Sequence, residues 1–447
     1  MTILTALILI YLAALLWFGI RGNTHDHTIR SLLTAGGATG AVLCALSLVS
    51  TIIGGSATLG IGSLAQKTGA GAFWWLGVGT AGLFLHGLFV APAIRASGAI
   101  TLPDVIRKLV GPLAEKWAAL IIAVSWVAVT AAQFAALLAL LRAVSGGALA
   151  EWLYAALAGA IVLHTALGGQ RGVIRTDAIQ AVLLLGGFAA AAVWCVVNRP
   201  DEVAALPRIP FSDTFGAVDL VKMLLLVGIT YVIGPDMFSR TFAAKDGATA
   251  RIAACTAAPL LSVFGVFVTM LALLNIEAAQ PVADWLSAAS PLPEVIAAFL
   301  ALGLVSALSG SADTVLLSAA GIVEKDLIGG ERVRAVRLWT AALGGLAALS
   351  AWFSGDIIGY LLMAYSFFVP GVAVPLLFLV FGRTRRAHPA LWLTGAVLGG
   401  LGGLAGNLTG ESLWTYAGMA VASVMTLAAI AAARSGSAVR GVSQDVA

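Results

Sequence analysis

About thirteen stretches of roughly twenty apolar residues follow one another along the chain, parted by short polar loops. They fall at 2–21, 38–66, 71–95, 114–142, 150–168, 176–198, 217–238, 248–275, 291–324, 334–354, 356–381, 389–406 and 412–433. A run of that length crosses bilayer hydrocarbon as a helix, the one open-ended form that satisfies its own backbone hydrogen bonds in lipid. The chain is therefore expected to be an all-α integral membrane protein. Charge agrees: Asp, Glu, Lys and Arg make up 10% of the residues, against about 25% in soluble domains. The first stretch opens on Met-Thr without a basic segment and ends at Arg21, so it reads as a retained helix rather than a signal peptide.

The basic residues test the count. With the N-terminus outside and the direction alternating, twenty of the 25 Lys and Arg fall in inner segments. Lys67, Arg142, Arg199, Arg208 and Lys222 remain outside. The positive-inside rule then favours an odd number of spans, an outside N-terminus and a cytoplasmic C-terminus. Dispersal of the basic residues in short loops excludes a nucleic-acid partner, despite the net charge of +4. Residues 1–434 are expected to form a single transmembrane domain, with 435–447 a polar, disordered cytoplasmic tail. The amphipathic segment Thr101 to Lys108 is expected along the inner interface. Trp74, Trp75, Trp117, Trp152 and Trp352 are expected as interface anchors. Cys44, Cys195 and Cys255 lie far apart in apolar runs and read as small buried hydrophobes.

Two spans carry helix-breaking chemistry. The second contains Ser50-Thr-Ile-Ile-Gly-Gly-Ser-Ala-Thr-Leu-Gly, and the seventh Gly228-Ile-Thr-Tyr-Val-Ile-Gly-Pro-Asp. Paired glycines with hydroxyls, and a proline within a helix, both favour an unwound stretch. Close helix packing is the other reading of the glycines. Irregular backbone at membrane depth survives only where protein buries it or a cavity takes it up. Interrupted segments at matching places in two halves mark a binding site. The two spans are five apart, which divides the chain into inverted five-helix repeats, one about 38–198 and the other about 217–381.

Three further segments carry a resemblance. Thr165-Ala-Leu-Gly-Gly-Gln-Arg-Gly-Val-Ile-Arg-Thr-Asp-Ala-Ile-Gln is one. Gly234-Pro-Asp-Met-Phe-Ser-Arg-Thr-Phe-Ala-Ala-Lys-Asp is the second. The third is Ser306-Ala-Leu-Ser-Gly-Ser-Ala-Asp-Thr-Val-Leu-Leu-Ser, followed by Glu324-Lys-Asp. In this order they resemble the sodium/solute symporter family, which contains sodium-coupled sugar, proline and pantothenate transporters. The resemblance implies a LeuT-type 5+5 inverted-repeat core with peripheral helices.

It also implies a sodium site. Carried over, the carbonyl ligands fall on Ser50, Ile53 and Ala307, and one hydroxyl on Ser311. The second hydroxyl position is Gly310, which has no side-chain oxygen; Ser309 or Thr314 are candidate substitutes. Outside the family context, the Ser311 hydroxyl reads as bonded to the carbonyl one turn back. Asp177 matches a family acid linked to sodium binding or release; the other reading is an acid at a helix N-terminus. Asp313 either tunes the ion site or is paired.

For solute, the resemblance points between the two broken helices, to Ser56, Thr58, Gln133, Thr230 and Tyr231, with Tyr365 and Ser366 as weaker candidates. Gln133 reads equally as an interhelical bond. Thr230 and Tyr231 match an inner gate that is aromatic in the family's sugar carriers, and Ala57 stands where those carriers place a Gln. Both differences argue against a sugar. Asp236 and Arg240, four apart, read as an intrahelical pair at the inner interface.

The expected function is secondary active symport of a small polar solute with sodium, by alternating access in the cell (inner) membrane. Sodium would be a coupling ion, with no further cofactor. A proton-coupled or uncoupled carrier, or a sensor acting through a separate partner, remain as alternatives. An intramembrane enzyme would need paired acids, a Ser/His couple or a zinc motif. The sequence has none: His25 and His27 are loop residues, and His86 and His164 are lone helix residues.

Overall fold

The computed structural model describes residues 2–22, 28–145, 147–287, 290–384 and 386–444. His25, His27 and Arg385, which the sequence reading used, lie outside them. The protein is all-helical apart from two isolated bridges among these residues. Among them, ten helices are long and apolar enough to cross a membrane. Thr2–Gly22 and the shorter apolar helix Ala41–Ile52 lie outside that ten.

Three of the ten are composite; one of them, Ala217–Ala243, is interrupted between Val232 and Pro235. Leu149–Asn198 has 50 residues; as one rod it would be about 75 Å long, against a hydrocarbon core of about 30 Å. It reverses at Gly169, whose φ of 55° and ψ of −166° form a backbone conformation open chiefly to glycine. His164 Nε2 lies 3.3 Å from Thr176 Oγ1 across the bend; in a straight helix twelve residues would part them by about 18 Å. Leu59–Ala96 likewise turns at Gly69 (φ 55°, ψ −132°), where Leu59–Thr68 ends and a tight turn leads into Trp74–Leu85.

The buried centre is Glu294–Ile322, enclosed without interruption from Leu300 to Leu317. It packs against the Gly147–Asn198 hairpin and against Pro112–Ser145. Small residues dominate its middle, Ser306 to Thr314, so neighbouring backbones come close and hydroxyls reach across. Its C-terminal end, continued by Val323–Ile328, is tied to the amphipathic segment, which forms the helix Leu102–Leu109 capped by Thr101. Thr101 Oγ1 donates to Asp326 Oδ1 at 3.0 Å, and Lys325 Nζ lies 3.8 Å from Asp104 Oδ2.

Two local expectations change. The backbone is helical from Ser412 to Gln444, so the tail expected to be disordered is a helix as far as that residue. Extending an existing helix needs no new nucleus. Trp75 is buried rather than an interface anchor, whereas Trp152 is 77% exposed. Two adjacent residues cannot share one helix face, and Trp74 takes the position whose indole N–H donates to Pro210 O at 2.7 Å.

Candidate functional site

Both helix breaks are present. The first follows Ala41–Ile52: Ile53 leaves the helix (φ −84°, ψ 85°), and the helix resumes at Leu59. The second follows Ile229–Val232: Ile233 turns out with nearly the same ψ (φ −128°, ψ 88°), and the helix resumes at Pro235. Proline suits that first position, where its missing N–H would have had no helical partner.

Side chains from neighbouring helices hold the first break. Gln133 Oε1 accepts the Gly55 N–H at 2.6 Å, so Gln133 makes the interhelical bond while also bordering the cavity between the breaks. Thr58 Oγ1 donates to Gly54 O at 2.9 Å and turns into the break instead of the cavity. Ser311, on the central helix, presses its Oγ to 2.7 Å from where a Gly54 Cβ would stand. Ser50, Ile53, Ala307 and Ser311 are all buried here.

The space at Gly310 is already filled with oxygen. A Cβ there would meet Ser50 Oγ, Gln180 Oε1 at 2.7 Å and Asp177 Oδ1 at 3.1 Å. The position that lacks a hydroxyl thus faces three oxygens from two other helices. Asp177 Oδ1 is buried without a hydrogen-bond partner among the described residues. Gln180 is held for this role, since its Nε2 donates to Tyr11 OH at 2.7 Å and to Ser309 Oγ at 3.0 Å. Sequence reasoning missed Gln180, although it stands three residues after Asp177 in the same motif and so on the same helical face.

The other oxygen of Asp177 is spoken for. Arg240 Nη2 lies 2.6 Å from Asp177 Oδ2, and both side chains are buried. Arg240 also donates to Ser47 Oγ (2.8 Å), Ser239 Oγ (2.9 Å) and Thr314 Oγ1. One guanidinium therefore links the second broken helix to the first, to the hairpin and to the central helix. The expected Asp236–Arg240 pair does not form. A buried carboxylate such as Asp177 is far costlier to leave uncompensated than a local helix pair is worth. Asp313 is buried beside His164, with Oδ2 3.8 Å from Nε2, while His164 Nδ1 donates to Leu15 O at 2.8 Å. Asp313 thus faces the hairpin, with its Oδ2 buried and without a hydrogen-bond partner among the described residues.

Between the breaks lies a cavity of about 30 Å³. That is room for a water or two, so a solute needs the helices to part. Ser56, Gln133, Thr230, Tyr231 and Tyr365 line it, together with Thr51, Trp126, Asp236 and Ser311. Ser366 bonds to Met363 O and does not reach it.

Residues 32–206 match the sodium:solute symporter family. Of the three motifs, the one from Thr165 to Gln180 falls within that match, together with the first break and Gln133. A solved Na+-coupled sialic acid symporter, in a substrate-bound outward-open state, shares the fold. Its TM-score is 0.79 at 16% identity, covering 95% of this chain and 96% of that one. A nucleobase-cation-symport-1 family transporter, in a closed conformation with bromovinylhydantoin bound, aligns at TM-score 0.47 and 15% identity over 91% of each chain. No curated protein sequence matches the chain. The family match covers the segment around the first break, and the fold is shared along nearly the whole chain.

Proposed function

We propose that the protein couples entry of a small polar solute to sodium by alternating access. One observation carries the coupling. Asp177 Oδ1, buried and unpartnered among the described residues, converges with Ser50 Oγ and Gln180 Oε1 on Gly310. Sodium is a hard cation that takes oxygen ligands. The carbonyls of Ser50, Ile53 and Ala307 and the Ser311 hydroxyl complete the proposed donor set, and Asp177 supplies the charge. Solute would sit in the cavity between the breaks, against Ser56, Thr230 and Tyr231, with Gln133 keeping the first break open to it; Thr58 supports the break from within.

In this reading the chain crosses the cell (inner) membrane about thirteen times. The hairpin at Gly169 counts as two passes, Ala41–Thr68 and the segment from Trp74 to Ala96 count as one each, and Thr2–Gly22 is a further span. The N-terminus lies outside, 1–434 form one transport domain of two inverted repeats, and the remainder is cytoplasmic. Sodium entering from outside binds first and favours the outward state; it drives transport only because it binds the two states unequally.

A carrier without sodium coupling has one observation in its favour: the Arg240 guanidinium already neutralises Asp177. The test is thermal unfolding of the purified protein in sodium against potassium, followed by solute uptake into liposomes with and without an inward sodium gradient. Sodium-specific stabilisation, lost in Ser311→Ala, is expected. Uptake indifferent to the gradient would leave the uncoupled reading standing.

A further inference from the structure

The cavity between the breaks holds one acid and no base. Asp236, in the first turn of Pro235–Ala243, lines it, and no Lys, Arg or His does. The base nearest in sequence, Arg240, is bound to Asp177, and Asp236 forms no ion pair among the described residues. A helix dipole favours an acid in the first turn. That accounts for its tolerance, not for its facing the space where solute sits. A second observation is independent of it. Trp126, 2% exposed, lines the same cavity, and its indole N–H has no partner among the described residues. Tyr231 and Tyr365 add two more aromatic rings to the wall.

An unpaired carboxylate among aromatic rings is the chemistry that recognises ammonium groups. An unpartnered buried N–H asks in addition for an oxygen acceptor. We infer that the transported solute is a small organic cation, an amine that also carries a hydroxyl or other oxygen acceptor. Its ammonium would sit against Asp236 and its oxygen against Trp126. Neutral sugars leave the carboxylate without a counter-charge, and carboxylic acids are repelled by it. This inference rests on the reading of the cavity as the solute site.

The test uses the full chain in detergent and a panel of probes: ethanolamine and choline as cations, glycerol and glucose as neutral solutes, glycolate as an anion. Each is scored by thermal stabilisation, and solutes that bind are followed into liposomes. A cation is expected to raise the melting temperature. Asp236→Asn should weaken its apparent affinity at least about thirtyfold, with Asp236→Glu retaining more. The sodium-induced shift, measured alone, should persist in Asp236→Asn and certifies that the variant is folded. If Asp236→Asn fails to fold, Asp236→Glu and the parent panel decide the matter. Binding of a neutral or anionic solute that ignores Asp236→Asn overturns the inference, and so does failure of both cations to stabilise the parent at millimolar concentration. Loss of the sodium shift in the parent, with cation binding intact, would instead remove the coupling reading and leave this one.

Discussion

Gly310→Ser restores the hydroxyl that the symporter family would offer at this position, yet it is expected to damage the site. The new Cβ would enter space held by Ser50 Oγ, Gln180 Oε1 and Asp177 Oδ1. Ser50 Oγ lies nearest, and Ser50 has little freedom to withdraw, being wholly buried between the central helix and the hairpin. Forcing atoms into a packed interior costs about 1–3 kcal/mol. A denaturation series in detergent, run in potassium and in sodium, reads that loss directly. The sodium-induced increment should not grow, because an oxygen is displaced for each one added. Ser50→Ala in the same molecule removes the obstructing atom. The double variant should recover much of the loss, a coupling of about 1–2 kcal/mol. A Gly310→Ser protein as stable as the parent and binding sodium more tightly would refute the argument, since it would mean that the space was free and the donor set one oxygen short.

Removing one partner of the Arg240–Asp177 pair, by Arg240→Leu or Asp177→Asn, should cost about 3–5 kcal/mol. The double variant should cost less than the sum; strict additivity in the unfolding data would show that the pair does not act as one. Gly169→Ala places a side chain on a backbone that strongly disfavours it, at about 1–3 kcal/mol. A melting temperature equal to the parent's would contradict the reversal at that residue.

What the sequence made legible was what is encoded locally. Apolar runs announced the helices, and Gly54-Gly55 and Gly234-Pro235 announced both breaks, because each chemistry acts on its own backbone. The Arg240–Asp177 pair was hidden. Its partners are 63 residues apart, and Asp236 stood four residues from Arg240 as a plausible decoy worth a few tenths of a kcal/mol. Gly310 misled in the other direction. Read along the chain, it is a missing oxygen; in three dimensions the oxygens arrive from Ser50 and Gln180, which are themselves 130 residues apart. Trp75 shows the same limit, since hydropathy does not say which of two adjacent rings turns inward.

The Thr2–Gly22 helix carries a consequence for biosynthesis. Tyr11 is buried, and its hydroxyl is bonded to Gln180 and Ser309, which follow it by 169 and 298 residues. At ribosomal speeds of about 5–20 residues per second, those partners emerge roughly 10 to 60 s later. During that interval a phenol must wait in or near the membrane without the groups that satisfy it. Thr2–Gly22 therefore reaches these contacts only after both the hairpin and the central helix have been made, and its docking completes the hydrogen bonds that hold Gln180 beside Gly310.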